Sequence, residues 1–237
     1  VEGELVAFSR YDMIPDGAFM AGERILVAGS ASFDMMPHVV CERDDIPLRG
    51  DHNVLNVLAA CAITGSMGLA IDRPGVMAET MCEAISEFKP VEHRLEVVRE
   101  VDGVTYVNDS IATAPERLFA ALTSYDEPLV LLIGGADKEL PWEAVLQVAL
   151  QKARHIIVFG ADGEKQVSTK VMKLLDLMRV REDQVTRVDS LDDAVKHAAE
   201  VAQTGDVVLL SPGGTSYDAY NDFVERGEHF RQLVSKL

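Results

Sequence analysis

The sequence predicts an α/β fold with a mostly parallel sheet in its C-terminal part, and three observations carry that prediction. From residue 91 onward, short continuous apolar runs recur at Leu129–Ile133, Ile156–Phe159, Val185–Val188 and Val207–Leu210. Amphipathic patterns at helical spacing lie between them: Trp142 to Lys152, then Val167, Val171, Leu174, Leu175 and Met178, then Leu191, Ala194, Val195, Ala198 and Ala202. Apolar strands alternating with amphipathic helices mean a parallel sheet covered on both faces. Third, four strands end in polar or glycine-rich turns, where open parallel sheets bind their ligands.

Taken in order, residues 1 to 48 read as short strands, Glu4–Ser9, Arg24–Ala28 and Val39–Cys41, in a peripheral β-meander. Turn chemistry at Pro15-Asp16-Gly17 and Ala21-Gly22-Glu23 separates them. Asp51 is the expected N-cap of an alanine-rich helix that runs to Gly65. Asp72-Arg73-Pro74 opens a second helix, and Met77, Met81, Ala84, Ile85 and Phe88 place its core stripe at helical spacing. Lys89-Pro90 stops that helix, so the expected domains are residues 1–90 and 91–237. Asp102-Gly103 joins Leu95–Val101 to Val104–Asn108 as a hairpin. Pro115 then starts a helix to Ser124, and the strand–helix alternation follows. The last strand breaks into Ser211-Pro212-Gly213-Gly214-Thr215-Ser216 and restarts as a helix toward Phe223. The second domain is Rossmann-like.

Composition narrows the function. The chain has 39 acidic and 22 basic residues, a net charge of −17. That charge argues against nucleic-acid backbones and anionic membrane surfaces as partners, though not against a small anion held locally. No apolar run reaches the roughly 20 residues that span a bilayer. The N-terminus carries no signal-peptide pattern and no initiator Met, so the expectation is a processed chain or a piece of a longer one. The three cysteines, Cys41, Cys61 and Cys82, suit reduced core residues in the cytosol. The six histidines show no metal-ligand spacing and read mostly as surface residues.

The chemistry-bearing residues sit at the strand ends and on the first helix. Asn53 and Asn56 share one face near its positive end, where two amides could read a purine edge or satisfy loop backbone. Arg94 could stack on a base or reach phosphate, or form a salt bridge between domains. Asp109 could accept from a ribose hydroxyl or cap the next helix. Lys138, after Gly134-Gly135, could pair with a carboxylate or phosphate or remain a solvated charge. The loop from Ser211 to Ser216 could cradle an anion or simply turn the chain. There is no GxGxxG fingerprint, no GxxxxGK[ST] loop and no Gly-x-Ser-x-Gly elbow.

In this order, the pieces resemble the Mur ligase family of cell-wall synthesis. The matching residues are His52-Asn53-x-x-Asn56, His93-Arg94-Leu95-Glu96, Asn108-Asp109-Ser110-x-Ala112-Thr113, and Gly134-Gly135-x-Asp137-Lys138. The last group is Leu210-Ser211-Pro212 through Ser216-x-Asp218, then Asn221-x-Phe223-x-x-Arg226-Gly227. The resemblance implies that residues 1–90 are the tail of a central ATPase domain and residues 91–237 the Rossmann-like domain that brings the amino acid. It implies ATP as cofactor, with Mg²⁺ held by ligands upstream of this chain, and the substrates D-glutamate and UDP-N-acetylmuramoyl-L-alanine, joined through an acyl phosphate. By motif position, Asn53, Asn56, Arg94 and Asp109 would bind nucleotide. Thr113, Lys138, Ser216 and Phe223 would surround D-glutamate, and Lys138 and Asp109 would act in catalysis. Ile111 stands where the family usually has Lys. The implied protein is a monomeric cytoplasmic enzyme whose fragment is inactive alone, hinged at Phe88 to Glu92. The alternatives are a stand-alone binding module of this fold, or a sister ligase for another amino acid.

Overall fold

The computed structural model describes residues 5–29, 31–32, 35–67 and 74–237, and it divides into two units, Val1–Pro90 and Val91–Leu237.

In the first unit, β1 (Ala7–Ser9), β2 (Gly17–Ala21), β3 (Arg24–Gly29) and β4 (Met35–Glu42) form a sheet in that order. The helices α1 (Asp51–Ser66) and α2 (Pro74–Ser86) pack on it through a core that includes Ile25, Val27, Val54, Leu58, Cys61, Met77 and Met81. The expected meander is corrected in one respect. β1 pairs with β2 in parallel, Ala7 opposite Gly17, so the Pro15-Asp16-Gly17 turn returns the chain to a parallel start. Gly17 makes this approach possible: its φ is 138°, and a Cβ there would lie 1.8 Å from the Ala7 carbonyl oxygen. Strand β2 was not foreseen, because a glycine-led pentapeptide carries little strand signal; burial of Ala18 and Phe19 supplies what propensity does not.

Asp51 is not the cap expected of it. Gly50 occupies the N-cap position at φ 87°, with no side-chain cap, and Asp51 opens the first turn. There its carboxylate faces the positive helix end and pairs with Arg10. Asp72, Arg73 and Glu4 lie outside the described residues.

The second unit is a three-layer α/β/α sandwich. Its six strands are β5 (Glu96–Val101), β6 (Val104–Asn108), β7 (Leu129–Gly134), β8 (Ala153–Phe159), β9 (Val185–Val188) and β10 (Val207–Gly213). They lie in the order β5-β6-β10-β7-β8-β9. Only the β5–β6 hairpin is antiparallel. The continuous apolar runs are explained by alternation between two cores. Leu129, Leu131, Ile133 and Leu209 face α3 (Pro115–Leu122), α4 (Glu143–Lys152) and α5 (Val167–Leu177). Val130, Leu132, Val208 and Leu210 face α6 (Leu191–Val201) and α7 (Phe223–Val234). The last helix begins at Phe223 rather than leading up to it; Asp222 caps it, accepting from the Glu225 N–H at 2.8 Å.

Strands β6 and β10 are neighbours, yet β6 continues to α3 on one face and β10 to α7 on the other. Their connections leave in opposite directions, so the carboxyl ends of these two strands form the topological switch point of the sheet.

Candidate functional site

Loops leave β6, β7 and β10 at the same edge of the sheet, and the backbone laces them together. The Gly213 N–H donates to the Ala112 carbonyl at 2.8 Å, and Ala136 and Thr215 exchange a reciprocal pair of bonds at 2.9 Å. Two glycines permit the approach. Gly135 sits at φ +98° with the Thr215 oxygen 2.2 Å from where a Cβ would be, and Gly213, at φ +67°, lies against the Trp142 ring. Lys138 and Thr113, on two of these loops, meet directly: Nζ donates to Oγ1 at 3.2 Å. Ser216 is buried one residue after the Thr215 bridge. The Phe223 carbonyl accepts from Ser110 Oγ at 2.8 Å, which ties the start of α7 to the β6 loop.

Asp109 lies at the switch point itself. It is buried, its Oδ2 accepting from Ser211 Oγ at 2.8 Å and its Oδ1 from the Leu95 N–H at 3.2 Å. It caps no helix: the N-cap of α3 is Ala114. Burial lifts its carboxyl to about 7, against the lowering effect of the Ser211 and Leu95 bonds and of Arg94 and Arg117. Arg94 is exposed, and its charge is felt at Asp109.

Sequence reasoning gave no role to two groups that shape this edge. Asp137 is saturated by Lys170 Nζ at 2.9 Å on one oxygen and the Trp142 indole at 3.4 Å on the other, and Lys170 also reaches the Leu140 carbonyl. This clamp fixes the loop from which the exposed Lys138 projects. Arg226 is wholly buried, with Nε on Ser110 Oγ at 3.0 Å, Nη2 on the Ser110 carbonyl at 2.8 Å, and both Nη atoms on the Gly214 carbonyl at 3.2 Å. The signal available for it was the Arg226-Gly227 pair, since a Cβ at Gly227 would sit 2.2 Å from His93 Nδ1.

Two of the six histidines, His93 and His155, are buried, and the other four are part-exposed. Glu92, His93 and Glu228 are the three-group cluster with metal-ligand spacing among the described residues. They do not suit a cation. Asn108 Nδ2 lies 2.9 Å from His93 Nδ1 and the Asn108 oxygen accepts from Ser110 N–H, so Nδ1 must be the acceptor and Nε2 carries the proton. Arg231 already occupies Glu228.

In the first unit, Asn53 donates to the Arg49 carbonyl at 2.8 Å and accepts from Asn56 Nδ2 at 3.2 Å, leaving the Asn56 carbonyl oxygen exposed. Asn56 borders an apolar recess of about 430 Å³ between α1 and α2, lined by Leu48, Val57, Met77, Met81 and Phe88.

A mostly parallel sheet whose neighbouring strands part at a polar, cation-bearing edge defines an α/β domain of the Rossmann-like class. Residues 93–214 match the family described as Mur ligase, glutamate ligase domain, and the chain belongs to the Mur ligase family. It is similar to a UDP-N-acetylmuramoylalanine–D-glutamate ligase of Roseiflexus sp. (strain RS-1), 42% identical over 200 residues, 84% of this chain and 41% of that protein. Its fold is similar to that of a murein peptide ligase from Psychrobacter arcticus 273-4, at 18% identity and a TM-score of 0.57, over 98% of this chain and 47% of that one. Mycobacterium tuberculosis folylpolyglutamate synthase, solved with ADP and AMPPCP, matches at 18% identity and a TM-score of 0.57, over 91% and 46% of the respective chains. The chain thus spans less than half the length of each. Among the described residues, no helix is long and apolar enough to cross a membrane.

Proposed function

We propose that this chain is the C-terminal part of an ATP-dependent ligase that joins D-glutamate to UDP-N-acetylmuramoyl-L-alanine, and that residues 91–237 deliver the amino acid. The observation that carries the reading is the Lys138–Thr113 contact at 3.2 Å, on a sheet edge that also holds Ser216 and the start of α7 at Phe223. A dicarboxylic amino acid needs cations, hydroxyls and N–H groups for two carboxylates. Lys138 supplies charge, Thr113 and Ser216 supply hydroxyls, and Phe223, at the N-terminus of α7, adds a free backbone N–H.

The nucleotide reading rests on the first unit and on Asp109. Asn56 sets an unpaired carbonyl oxygen beside an apolar recess, chemistry that suits a flat base with an exocyclic amine, and Asn53 holds its amide in place. Asp109 is held ready to accept from a hydroxyl or orient a neighbouring group, with Arg94 as the nearby cation. ATP, when bound, supplies the phosphoryl group that activates the muramoyl-alanine carboxylate. The described residues offer no fitting Mg²⁺ site, so the metal is assigned to no residue of this chain. The reading includes a monomeric protein in the cytoplasm.

Calorimetry with D-glutamate, L-alanine and a diamino acid tests the amino-acid assignment: preference for D-glutamate is the expected result, and preference for either competitor overturns it. The chain alone is expected to release no ADP when given both substrates and ATP, and release dependent on both would refute its inactivity.

A further inference from the structure

Arg226 is a full positive charge placed where water does not reach. Every heavy atom of its guanidinium that bears hydrogen is bonded, yet each acceptor is neutral: the Ser110 hydroxyl, the Ser110 carbonyl and the Gly214 carbonyl. Among the described residues no carboxylate forms an ion pair with it. The acidic side chain whose field it feels, Asp218, is exposed on the loop before α7. Removing a charge from water costs several kcal/mol, and a buried charge is ordinarily paired. This one lies beneath three laced loops, with Ser110 passing its bond on to the Phe223 carbonyl and Nη1 lying beside Gly135.

We propose that Arg226 is a positioning residue of the amino-acid site whose charge is balanced by the bound substrate's side-chain carboxylate rather than by an ion pair within the protein. The inference rests on the amino-acid reading above. Its hydrogen bonds fix the β6 and β10 loops against each other, and its field makes the edge above it selective for an anion. Nothing covalent is involved: the guanidinium acts across the loops, and Lys138 and the hydroxyls make the contacts.

The test is an NMR titration of the whole 237-residue chain with D-glutamate and with D-glutamine, the isostere whose side chain is neutral, in wild type, Arg226→Gln and Arg226→Lys. Thermal unfolding accompanies each variant to report the folded fraction. Wild type is expected to favour glutamate; Arg226→Gln loses that preference by about ten-fold or more, as a charge several ångströms away at intermediate dielectric requires, while glutamine binding changes little. Arg226→Lys keeps the charge and is expected to keep most of the preference even where overall affinity falls. A folded Arg226→Gln chain with the wild-type preference overturns the inference, and so does equal weakening of both ligands, which marks a purely structural role. Should Arg226→Gln fail to fold, loss of the preference in folded Arg226→Lys overturns it. If wild type binds neither amino acid, the amino-acid reading fails, and this inference falls with it; the variants alone decide the other outcomes.

Discussion

Ser211, on β10, and Asp109, the residue that follows β6, stand where two adjacent parallel strands send their chains to opposite faces of the sheet, and the Ser211 hydroxyl joins them with a 2.8 Å bond to Asp109 Oδ2. The same aspartate takes the Leu95 N–H, so one buried carboxyl ties the hairpin, the β6 loop and the β10 loop together. Its burial is therefore a consequence of topology, and so is its titration.

Because burial raises Asp109 to about 7, the folded protein holds this proton after the unfolded chain, at the ordinary 3.8, has released it. The folded state binds more protons across that window, so stability declines as pH rises from the ordinary carboxylate range to about 7. Asp109→Asn keeps the shape and both partners, once Ser211 accepts instead of donating. It is expected to raise stability at pH 8 by about 2–4 kcal/mol and to flatten the dependence below pH 7. Urea unfolding at pH 5 and pH 8 measures this; an unchanged or destabilised variant at pH 8 would contradict it.

Lys138 is exposed, and among the described residues its side chain hydrogen-bonds to Thr113. Lys138→Ala is expected to leave stability within about 0.5 kcal/mol. It should weaken D-glutamate binding about ten-fold or more, as losing a charge-assisted contact does. Calorimetry on the folded variant decides; undiminished affinity removes Lys138 from the proposed site.

The Asp137 clamp predicts a coupled effect. Lys170→Met leaves Asp137, with its side chain 7% exposed, holding a charge answered only by an indole N–H. The expected cost is about 2 kcal/mol, less than for a fully buried pair because Lys170 is itself part-exposed. Binding should weaken beyond what unfolding explains, since the loop before Lys138 is released. A double-mutant cycle with Asp137→Asn should recover much of the lost stability, and simple additivity would argue against the clamp.

Gly135→Ala places a methyl group against the Thr215 carbonyl at a backbone angle that L-residues rarely adopt. About 3 kcal/mol of destabilisation is expected, with loss of amino-acid binding even in the folded fraction. Trp142, the sole tryptophan, is buried in the second unit, so its emission should be blue-shifted and should red-shift on unfolding of residues 91–237. A solvent-like emission maximum in the native chain would be incompatible with this packing.

The local patterns carried most of the second unit's fold. Continuous apolar runs such as Leu129–Ile133 are long enough for a strand and flanked by amphipathic helices, so two-sided burial follows from composition and spacing alone. The nature of the strand ends was legible for the same reason, since glycine pairs and hydroxyl-rich turns are local chemistry. Asp51 and Gly50 exchanged roles because capping depends on a backbone angle, which glycine permits but sequence does not specify. Strand β2 and its parallel pairing with β1 depend on burial against α1, a long-range contact that a pentapeptide cannot announce.

What the sequence determined by itself is the alternation of strand and helix and the set of polar residues at the sheet's carboxyl edge, because both follow from periodicity and turn chemistry. What only the tertiary structure decided is which of those residues become partners. The order β6-β10-β7 puts Asp109 beside Ser211, and the docking of α7 buries Arg226 under Ser110 and Gly214. The Asp109–Ser211 and Ser110–Arg226 contacts join positions more than a hundred residues apart, and only the crossing of the chain at the centre of the sheet brings them within hydrogen-bonding distance.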